Sequence, residues 1–343
     1  MPVVQALAAA LTFALSAPLA KLLLGEIPPL LLAGLLYLGA GLFLSLLGIV
    51  RPGRAAASRG FARRERWLLA GAVTAGGVLA PPLLLWGLAR SPASATALLL
   101  NLEVIFTALL AGVFWREHLG RRVIGATVLM MAGGAWLAWP GERLEITAAS
   151  LGIVAACGLW ALDNNLTRMI ADLDALRIAR VKGLVAGATN LTLALALGQP
   201  LPGLAVAASS LSLGAVSYGT SLVLFILAMR SLGAARTGGY FALAPFLGAL
   251  LSVILLSEPV SAPLAGSGLL LASGVWLLVR ERHAHAHTHE AGVHTHRHVH
   301  DEHHRHAHEG WEGPEPHTHA HATGPIEHRH RHVHDKHHRH PHG

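Results

Sequence analysis

Residues 30–50 read LLLAGLLYLGAGLFLSLLGIV, an apolar run of 21 residues without a charged side chain. A helix needs about 20 mostly apolar residues to cross the hydrocarbon core of a bilayer. The run is therefore long enough and apolar enough to span a membrane. Comparable runs recur at short intervals, and the sequence predicts ten spans: Val3–Leu24, Leu30–Val50, Trp67–Leu88, Ala93–Trp115, Val123–Trp139, Ser150–Ile170, Ile178–Leu197, Leu211–Met229, Thr237–Leu256 and Pro263–Val279.

This repetition indicates an all-α membrane protein. Open sheets are excluded in lipid because their edges leave backbone groups unpaired, and the runs are too long for barrel strands. The first run lacks the charged start and the small-residue cleavage site of a signal peptide, so it is interpreted as a span. The single cysteine, Cys157, allows no disulfide framework.

The basic residues of the loops predict an orientation. Alternate loops are rich in arginine, and the positive-inside rule places such loops in the cytoplasm. Both termini are then cytoplasmic, which agrees with an even number of spans in a bacterial-type inner (plasma) membrane. The net charge of +7 has this membrane explanation, so no nucleic-acid partner is predicted. The arginines concerned are Arg51, Arg54, Arg59, Arg63, Arg64, Arg66, Arg116, Arg121, Arg122, Arg168, Arg177, Arg180, Arg230, Arg236, Arg280 and Arg282.

The two halves of the apolar region, residues 1–140 and 141–282, resemble each other weakly. Arg90-Ser91 leads into the fourth span and Arg230-Ser231 into the ninth, and these spans end at Glu117 and Glu258. Five spans per half is an odd number, so the second half is inverted relative to the first. Inverted repeats are frequent in secondary transporters, whose substrate site lies near the midplane between the halves. Chance similarity between apolar segments is the alternative.

Two segments carry a resemblance to a known family. They are residues 101–110, NLEVIFTALL, followed by Arg116-Glu117, and residues 235–248, ARTGGYFALAPFLG, followed by Glu258. In their order and spacing they resemble the drug/metabolite transporter superfamily, in its EamA-type ten-span branch. The resemblance covers most of residues 1–280 and implies a pseudosymmetric carrier with a central cavity. It names no substrate, since relatives export amino acids, metabolites, drugs or sugars.

Polar residues within the spans are the candidates for this cavity. Charged side chains in a span are costly and usually face a cavity or a partner. A buried carboxyl group favours its neutral form, so Glu103 or Asp163 can carry a coupling proton. The alternative is an internal ion pair of either acid with Lys182 that only holds helices together. The candidates for the substrate or proton cavity are Asn101, Glu103, Asp163, Asn164, Lys182 and Tyr240, with Asn165, Asn190 and Tyr218 as weaker ones.

Proline and glycine interrupt several spans. Pro81-Pro82 falls within the third span and Pro245 within the ninth, and proline frees a backbone carbonyl that can open a polar spot in a cavity wall. Gly76-Gly77 and Gly133-Gly134 are expected to allow close helix packing.

The chain changes character after Arg280. All but one of its 24 histidines, His118, lie from His283 onward, and few residues there could build a core. Residues 283–343 are therefore predicted to be a disordered tail. Imidazole is a common ligand of Zn, Ni, Co and Cu, so the tail is predicted to bind divalent transition metals. The proposed ligands are His283, His285, His287, His289, His294, His296, His298, His300, His303, His304, His306, His308, His328, His330, His332, His334, His337, His338, His340 and His342.

Three functions remain open on the sequence alone. The first is a secondary transporter that exports a small solute, with the bilayer and the solute as its partners and no required cofactor. The second is a divalent-metal exporter fed by the tail, although the spans contain no histidine. The third is a metal sensor or buffer without transport. No Walker loop, nucleotide fingerprint or nucleophile elbow occurs, so neither an enzyme nor an ATP-driven pump is predicted. The oligomeric state stays open.

Overall fold

The computed structural model describes residues 2–50, 60–115, 121–138, 147–170, 173–232, 240–279, 283–289, 292–298, 317–323 and 326–332. The chain forms two compact units, residues 1–281 and 282–343. The described elements of the first unit are helical. They are α1 Pro2–Ala14, α2 Ser16–Leu23, α3 Pro29–Val50, α4 Arg63–Ala72, α5 Ala80–Ala89, α6 Ala93–Leu99, α7 Leu102–Trp115, α8 Arg121–Ala138, α9 Ala148–Arg168, α10 Ala175–Ala196, α11 Leu204–Leu213, α12 Ser221–Leu232, α13 Ala244–Leu256 and α14 Ala262–Val279, with π-helical segments Val73–Leu79 and Gly214–Thr220.

Four continuous helical stretches are both long and apolar enough to cross a membrane. They are Pro2–Leu23, Pro29–Val50, Arg63–Ala89 and Leu204–Phe225. Helices α9 and α10 have 21 and 22 residues but are more polar, since they carry the charged and amide candidates. The helical membrane fold is thus confirmed.

The fourth predicted span, Ala93–Trp115, is not one continuous helix. It is divided at Leu100 and Asn101, between α6 and α7. The Asn101 amide N–H and its side-chain Nδ2 both donate to the Leu98 carbonyl, at 3.1 Å each. The backbone amide of Glu103, two residues after Asn101, donates to Leu100 O, three residues back, at 3.1 Å. An asparagine side chain that competes for backbone carbonyls tightens the turn and interrupts the α-helical pattern.

The third span widens into a π-helical segment before Pro81-Pro82. The Ala80 amide donates to Ala75 O, five residues back, rather than to Gly76 O. The prolines carry no N–H, so neither can donate to the carbonyls of Gly76 or Gly77. The two prolines thus free two carbonyl groups inside the bundle, as the sequence predicted.

Close packing of α3 against α10 relies on glycine. A Cβ atom on Gly41 would lie 2.6 Å from Leu184 N, and one on Gly183 would lie 2.8 Å from Gly41 N. Gly76 and Gly77 likewise leave room for Asp163 and Ala186, so the prediction of close packing at this pair is confirmed. Small residues let backbones approach closely where lipid offers no hydrophobic drive between helices.

The tail carries four strands, which the expectation of disorder did not include. Strands β1 His283–His289, β2 Gly292–His298, β3 His317–Thr323 and β4 Ile326–His332 form two antiparallel pairs, β1 with β4 and β2 with β3. The physical reason is the His-x-His alternation, whose period of two residues is that of a strand. The low content of core-forming residues in the tail was therefore not enough to predict whether it forms secondary structure.

Candidate functional site

Glu103 lies at the start of α7, beside the break in the fourth span, and is bonded to α9. Asn164 Nδ2 donates to Glu103 Oε1 at 2.8 Å and to Thr107 Oγ1 at 3.3 Å. Asn164 is exposed and Glu103 is half-buried. Its second oxygen, Oε2, accepts no hydrogen bond from the residues that the structure describes.

Asp163 belongs to a separate ion pair with α10. Lys182 Nζ lies 2.6 Å from both Asp163 Oδ1 and Oδ2, and Thr167 Oγ1 donates to Oδ1 at 2.9 Å. The side chains of Lys182 and Asp163 are only 19% and 7% exposed. The ion-pair alternative therefore describes Asp163, whereas Glu103 has a neutral partner. Of the two acids Asp163 and Glu103, Lys182 is thus bonded to Asp163.

The freed carbonyls of the third span are bound by side chains from three other spans. Gly76 O accepts hydrogen bonds from Tyr37 Oη at 2.9 Å and from Trp160 Nε1 at 2.8 Å. Gly77 O accepts one from Asn190 Nδ2 at 2.9 Å. These bonds compensate for the backbone donors that the prolines remove, and they attach α3, α9 and α10 to the π-helical segment. The polar groups of Tyr37 and Asn190 within the spans are thus explained by these hydrogen bonds. We call the bonded carbonyls and their three donors the Gly76–Gly77 junction.

A chain of aromatic rings extends from this junction. Tyr37 and Tyr218 have ring centroids 5.6 Å apart, and Tyr218 is 5.8 Å from Phe13. Phe13 is 5.4 Å from Phe241, which is 5.1 Å from Phe225. All five rings are half-buried. Sequence reasoning named Tyr218 but missed the phenylalanines, because isolated aromatic residues in apolar runs give no signal of their own.

Among the described residues, the remaining cavity candidates form no hydrogen bond with the Glu103 carboxylate. Asn101 is fully buried, and its Oδ1 atom has no hydrogen-bond partner among the residues that the structure describes. Asn165 Nδ2 donates to Thr107 O and Ala161 O, at 3.1 and 2.9 Å, and so connects α9 to α7. Tyr240 is half-buried where the described part of the ninth span begins. The structure brings together Glu103 with Asn164, and Asp163 with Lys182, but not all six candidates.

Two charged side chains hold the turn between the third and fourth spans. Lys21 Nζ donates to the carbonyls of Leu88 and Ser91, at 2.6 and 2.7 Å. Glu258 accepts from the amides of Ala93 and Ser94, at 2.7 and 2.9 Å, and so caps the N-terminus of α6. A cation at a helix C-terminus and an anion at an N-terminus both stabilise the helix dipole. We call this arrangement the Lys21–Glu258 clamp.

In the tail, the strand register places histidines opposite each other. In the first pair His283, His285 and His287 lie opposite His332, His330 and His328. In the second pair His294, His296 and His298 lie opposite His321, His319 and His317. The last three were not among the predicted ligands. His300, His303, His304, His306, His308, His334, His337, His338, His340 and His342 lie outside the described residues.

Two surface grooves of about 560 and 400 Å³ lie away from the candidate residues. Their walls include Arg63, Trp67 and Leu166 in the first, and Leu15, Ser209 and Val216 in the second. Among the residues that the structure describes, no three His, Cys, Asp or Glu side chains are grouped so that they could hold a metal ion.

Comparison with known proteins shows the family and the fold of the chain. Residues 1–139 match the EamA-like transporter family. An uncharacterized transporter of Methanothermobacter thermautotrophicus is 30% identical over 294 residues, which cover 80% of this chain and 85% of that protein. A crystal structure with 18% identity and a TM-score of 0.60, covering 81% of this chain and 96% of its own, has the same fold. The chain therefore belongs to the EamA-like transporters of the drug/metabolite transporter superfamily, which are multi-pass membrane proteins.

Proposed function

We propose that the protein is a secondary transporter that exports a small solute in exchange for protons, and that Glu103 binds the proton. The observation that carries this proposal is the state of the Glu103 carboxylate. It is half-buried at a break in a membrane helix, and its only described hydrogen bond comes from the neutral amide of Asn164. A carboxyl group in such surroundings gains or loses its proton without breaking an ion pair.

The proposal includes ten spans arranged as two inverted halves. Irregularities at corresponding places in the halves support it. The third span has a π-helical segment at Val73–Leu79 and the eighth at Gly214–Thr220. The fourth span is broken at residues 100–101 and the ninth at residues 242–243. Discontinuous helices at matching positions are typical of transporters built from inverted repeats.

The loop charges support an orientation in the cell inner membrane with both termini in the cytoplasm. The Lys21–Glu258 clamp then lies at the outer face. It joins the ends of the first, third, fourth and ninth spans, and we propose that it holds the outer end closed. Export requires this clamp to release during each cycle.

We also propose that the tail binds divalent transition metal in the cytoplasm. Histidines directly opposite each other on paired strands support this, because imidazole nitrogens suit Zn, Ni, Co and Cu. A divalent-metal exporter is the second candidate function and is favoured by this tail alone. The described helical residues give it no grouped ligands for a path through the membrane.

Flux in reconstituted vesicles tests the proposed function. The full chain is inserted in proteoliposomes, a pH gradient is imposed, and export of divalent metals, amino acids and other metabolites is measured. We expect the pH gradient to drive the flux of at least one organic solute, in the direction opposite to the protons. Glu103→Gln should reduce this flux at least tenfold. The exposed Glu26→Gln serves as the matched control. The proposal would be refuted if the solute flux did not depend on the pH gradient and was the same in Glu103→Gln as in the wild type.

A further inference from the structure

We infer that the larger of the two surface grooves, at the start of α4, binds one anionic phospholipid. The lipid phosphate contacts Arg63 and Arg64, and an acyl chain lies along the apolar end of the groove. The site involves neither Glu103 nor the transported solute, so it goes beyond the proposed function.

The groove runs along one face of α4. Residues three and four apart are neighbours on an α-helix, so the lining residues of α4 form a single stripe. With a rise of about 1.5 Å per residue, this stripe extends about 12 Å from Arg63 to Gly71. The volume of about 560 Å³ lies within the range of small-ligand sites, roughly 300–1,000 Å³. The lining residues are Arg63, Arg64, Trp67, Leu68 and Gly71 of α4 and Leu166 of α9.

One end of the groove carries an excess of positive charge. The first turn of α4 reads Arg63-Arg64-Glu65-Arg66, and its three arginines are exposed. The Glu65 carboxylate accepts the Ala62 amide at 2.7 Å and so caps the helix. Among the described residues, neither Arg63 nor Arg64 forms an ion pair with an acid. Two guanidinium groups are therefore available to bind a phosphate, which suits their paired N–H donors.

The other end of the groove is apolar. Leu68 and Leu166 are half-buried there. Gly71 keeps this end open, because a Cβ atom on it would already lie 3.1 Å from Leu166 Cδ1. Between the two ends lies Trp67, which is 72% exposed, and tryptophan is enriched at membrane–water interfaces. The order of cation, interfacial ring and apolar floor matches a phospholipid from its phosphate to its acyl chain.

The groove lies where a spanning helix enters the membrane. The continuous stretch Arg63–Ala89 is long and apolar enough to cross a bilayer, and the groove is at its beginning. Leu166 lies two residues before the end of α9 at Arg168, so both helices reach the same membrane face here. The proposed orientation places this face in the cytoplasm, where basic pockets between spans bind anionic headgroups. A free phosphate would contact the arginines but leave the apolar floor unused, so a lipid fits the groove better.

Native mass spectrometry of the full chain in detergent micelles tests the inference. The probes are dioleoylphosphatidylglycerol, the uncharged-overall dioleoylphosphatidylcholine with the same chains, and soluble glycerol 3-phosphate, which keeps the anionic phosphate without chains. We expect the first phosphatidylglycerol to bind at least tenfold more tightly than either other probe. An arginine beside an anionic lipid contributes a factor of about five in affinity. Arg63→Gln and Arg64→Gln should therefore each weaken this binding about 5-fold, and the double variant about 30-fold. Gly71→Leu fills the apolar floor and should weaken it at least fivefold.

Matched variants separate the groove from general surface charge. Arg66→Gln removes an exposed arginine of the same turn that does not line the groove, and should bind within twofold of the wild type. Gly203→Leu adds the same side chain at an exposed glycine, where a Cβ would meet no described atom within 4 Å, and should also bind as the wild type does.

Four results would overturn the inference. They are undetectable phosphatidylglycerol binding, equal binding of phosphatidylcholine, equal binding of glycerol 3-phosphate, which would indicate a site for free anions, and an equal loss in Arg66→Gln and Arg63→Gln, which would indicate diffuse surface attraction. Proton-coupled solute flux is measured separately. Failure of the lipid site therefore leaves the proposed function standing, and failure of the flux test leaves the lipid site standing.

Discussion

Removing one partner of the Asp163–Lys182 pair should destabilise the protein far more than removing both. The pair is nearly buried, with Lys182 Nζ 2.6 Å from each carboxylate oxygen. Loss of one partner leaves a charge uncompensated, which costs about 3–5 kcal/mol. That corresponds to a roughly 100- to 4,000-fold change in the unfolding equilibrium constant. Asp163→Asn and Lys182→Met are the single variants, and both together keep a similar volume without charge.

Reversible unfolding in mixed micelles of lipid-like detergent and SDS measures these differences, followed by tryptophan fluorescence. We expect each single variant to lose about 3–5 kcal/mol and the double variant to lose about 1 kcal/mol. The coupling energy of the double-mutant cycle is then about 5–9 kcal/mol, from the sum of the two single losses less the double loss. Single losses below about 1 kcal/mol, or additive losses, would refute the reasoning that the pair is a buried structural bridge.

The same variants separate the roles of the two acids. In Asp163→Asn the Lys182 ammonium loses its partner, and Glu103 is the other acid on which it acts. The field of this uncompensated ammonium, without a direct bond, would favour the ionised form of Glu103, so Asp163→Asn should lose proton exchange. The double variant should recover it. If the double variant stays inactive although it is folded, Asp163 has a role in transport beyond its pairing with Lys182.

Three further outcomes follow from other parts of the molecule. Gly41→Leu should push α3 from α10, because even a Cβ there would lie 2.6 Å from Leu184 N; a fall in thermal stability in detergent checks this. Glu258→Gln should weaken the cap on α6 by about 1 kcal/mol and ease opening of the outer end, seen as faster hydrogen–deuterium exchange of the Ala93 and Ser94 amides; exchange at the wild-type rate would contradict the clamp. Deletion of residues 283–343 should leave the bundle intact and remove most nickel and zinc binding in equilibrium dialysis, and full binding by the truncated chain would show that the tail is not the metal ligand.

Much of the helical fold could be predicted because lipid leaves few alternatives. Runs such as residues 30–50 are long, apolar and nearly free of charge, and a helix is how such a run satisfies its backbone in a bilayer. The presence of Pro81-Pro82 also predicted that backbone carbonyls would be left without helical donors. It did not predict that Tyr37, Trp160 and Asn190 would donate hydrogen bonds to them. Those partners come from distant spans, and apolar periodicity does not specify which spans pack together.

The sequence predicted neither the break at Asn101 nor which of the two acids pairs with Lys182, for related reasons. A lone asparagine within an apolar run reads as a cavity residue, yet its side chain bonds its own helix at Leu98. Asp163 and Glu103 looked equivalent because both are acids within spans. Only the side-chain contacts of α9 with α7 and with α10 show that adjacent residues, Asp163 and Asn164, face different partners. The tail strands were missed because low apolar content outweighed the two-residue alternation.

The most direct test of Glu103 as the exchange group is a count of protons per transported solute. Proteoliposomes holding the wild-type chain, a weak buffer and a pH dye are given the transported solute, and solute and proton movements are recorded together. The account predicts about one proton per transported solute for the wild type and for Glu26→Gln. It predicts no coupled proton movement for Glu103→Gln, which should still be recovered as folded protein. Proton movement in Glu103→Gln at the wild-type ratio would contradict the account.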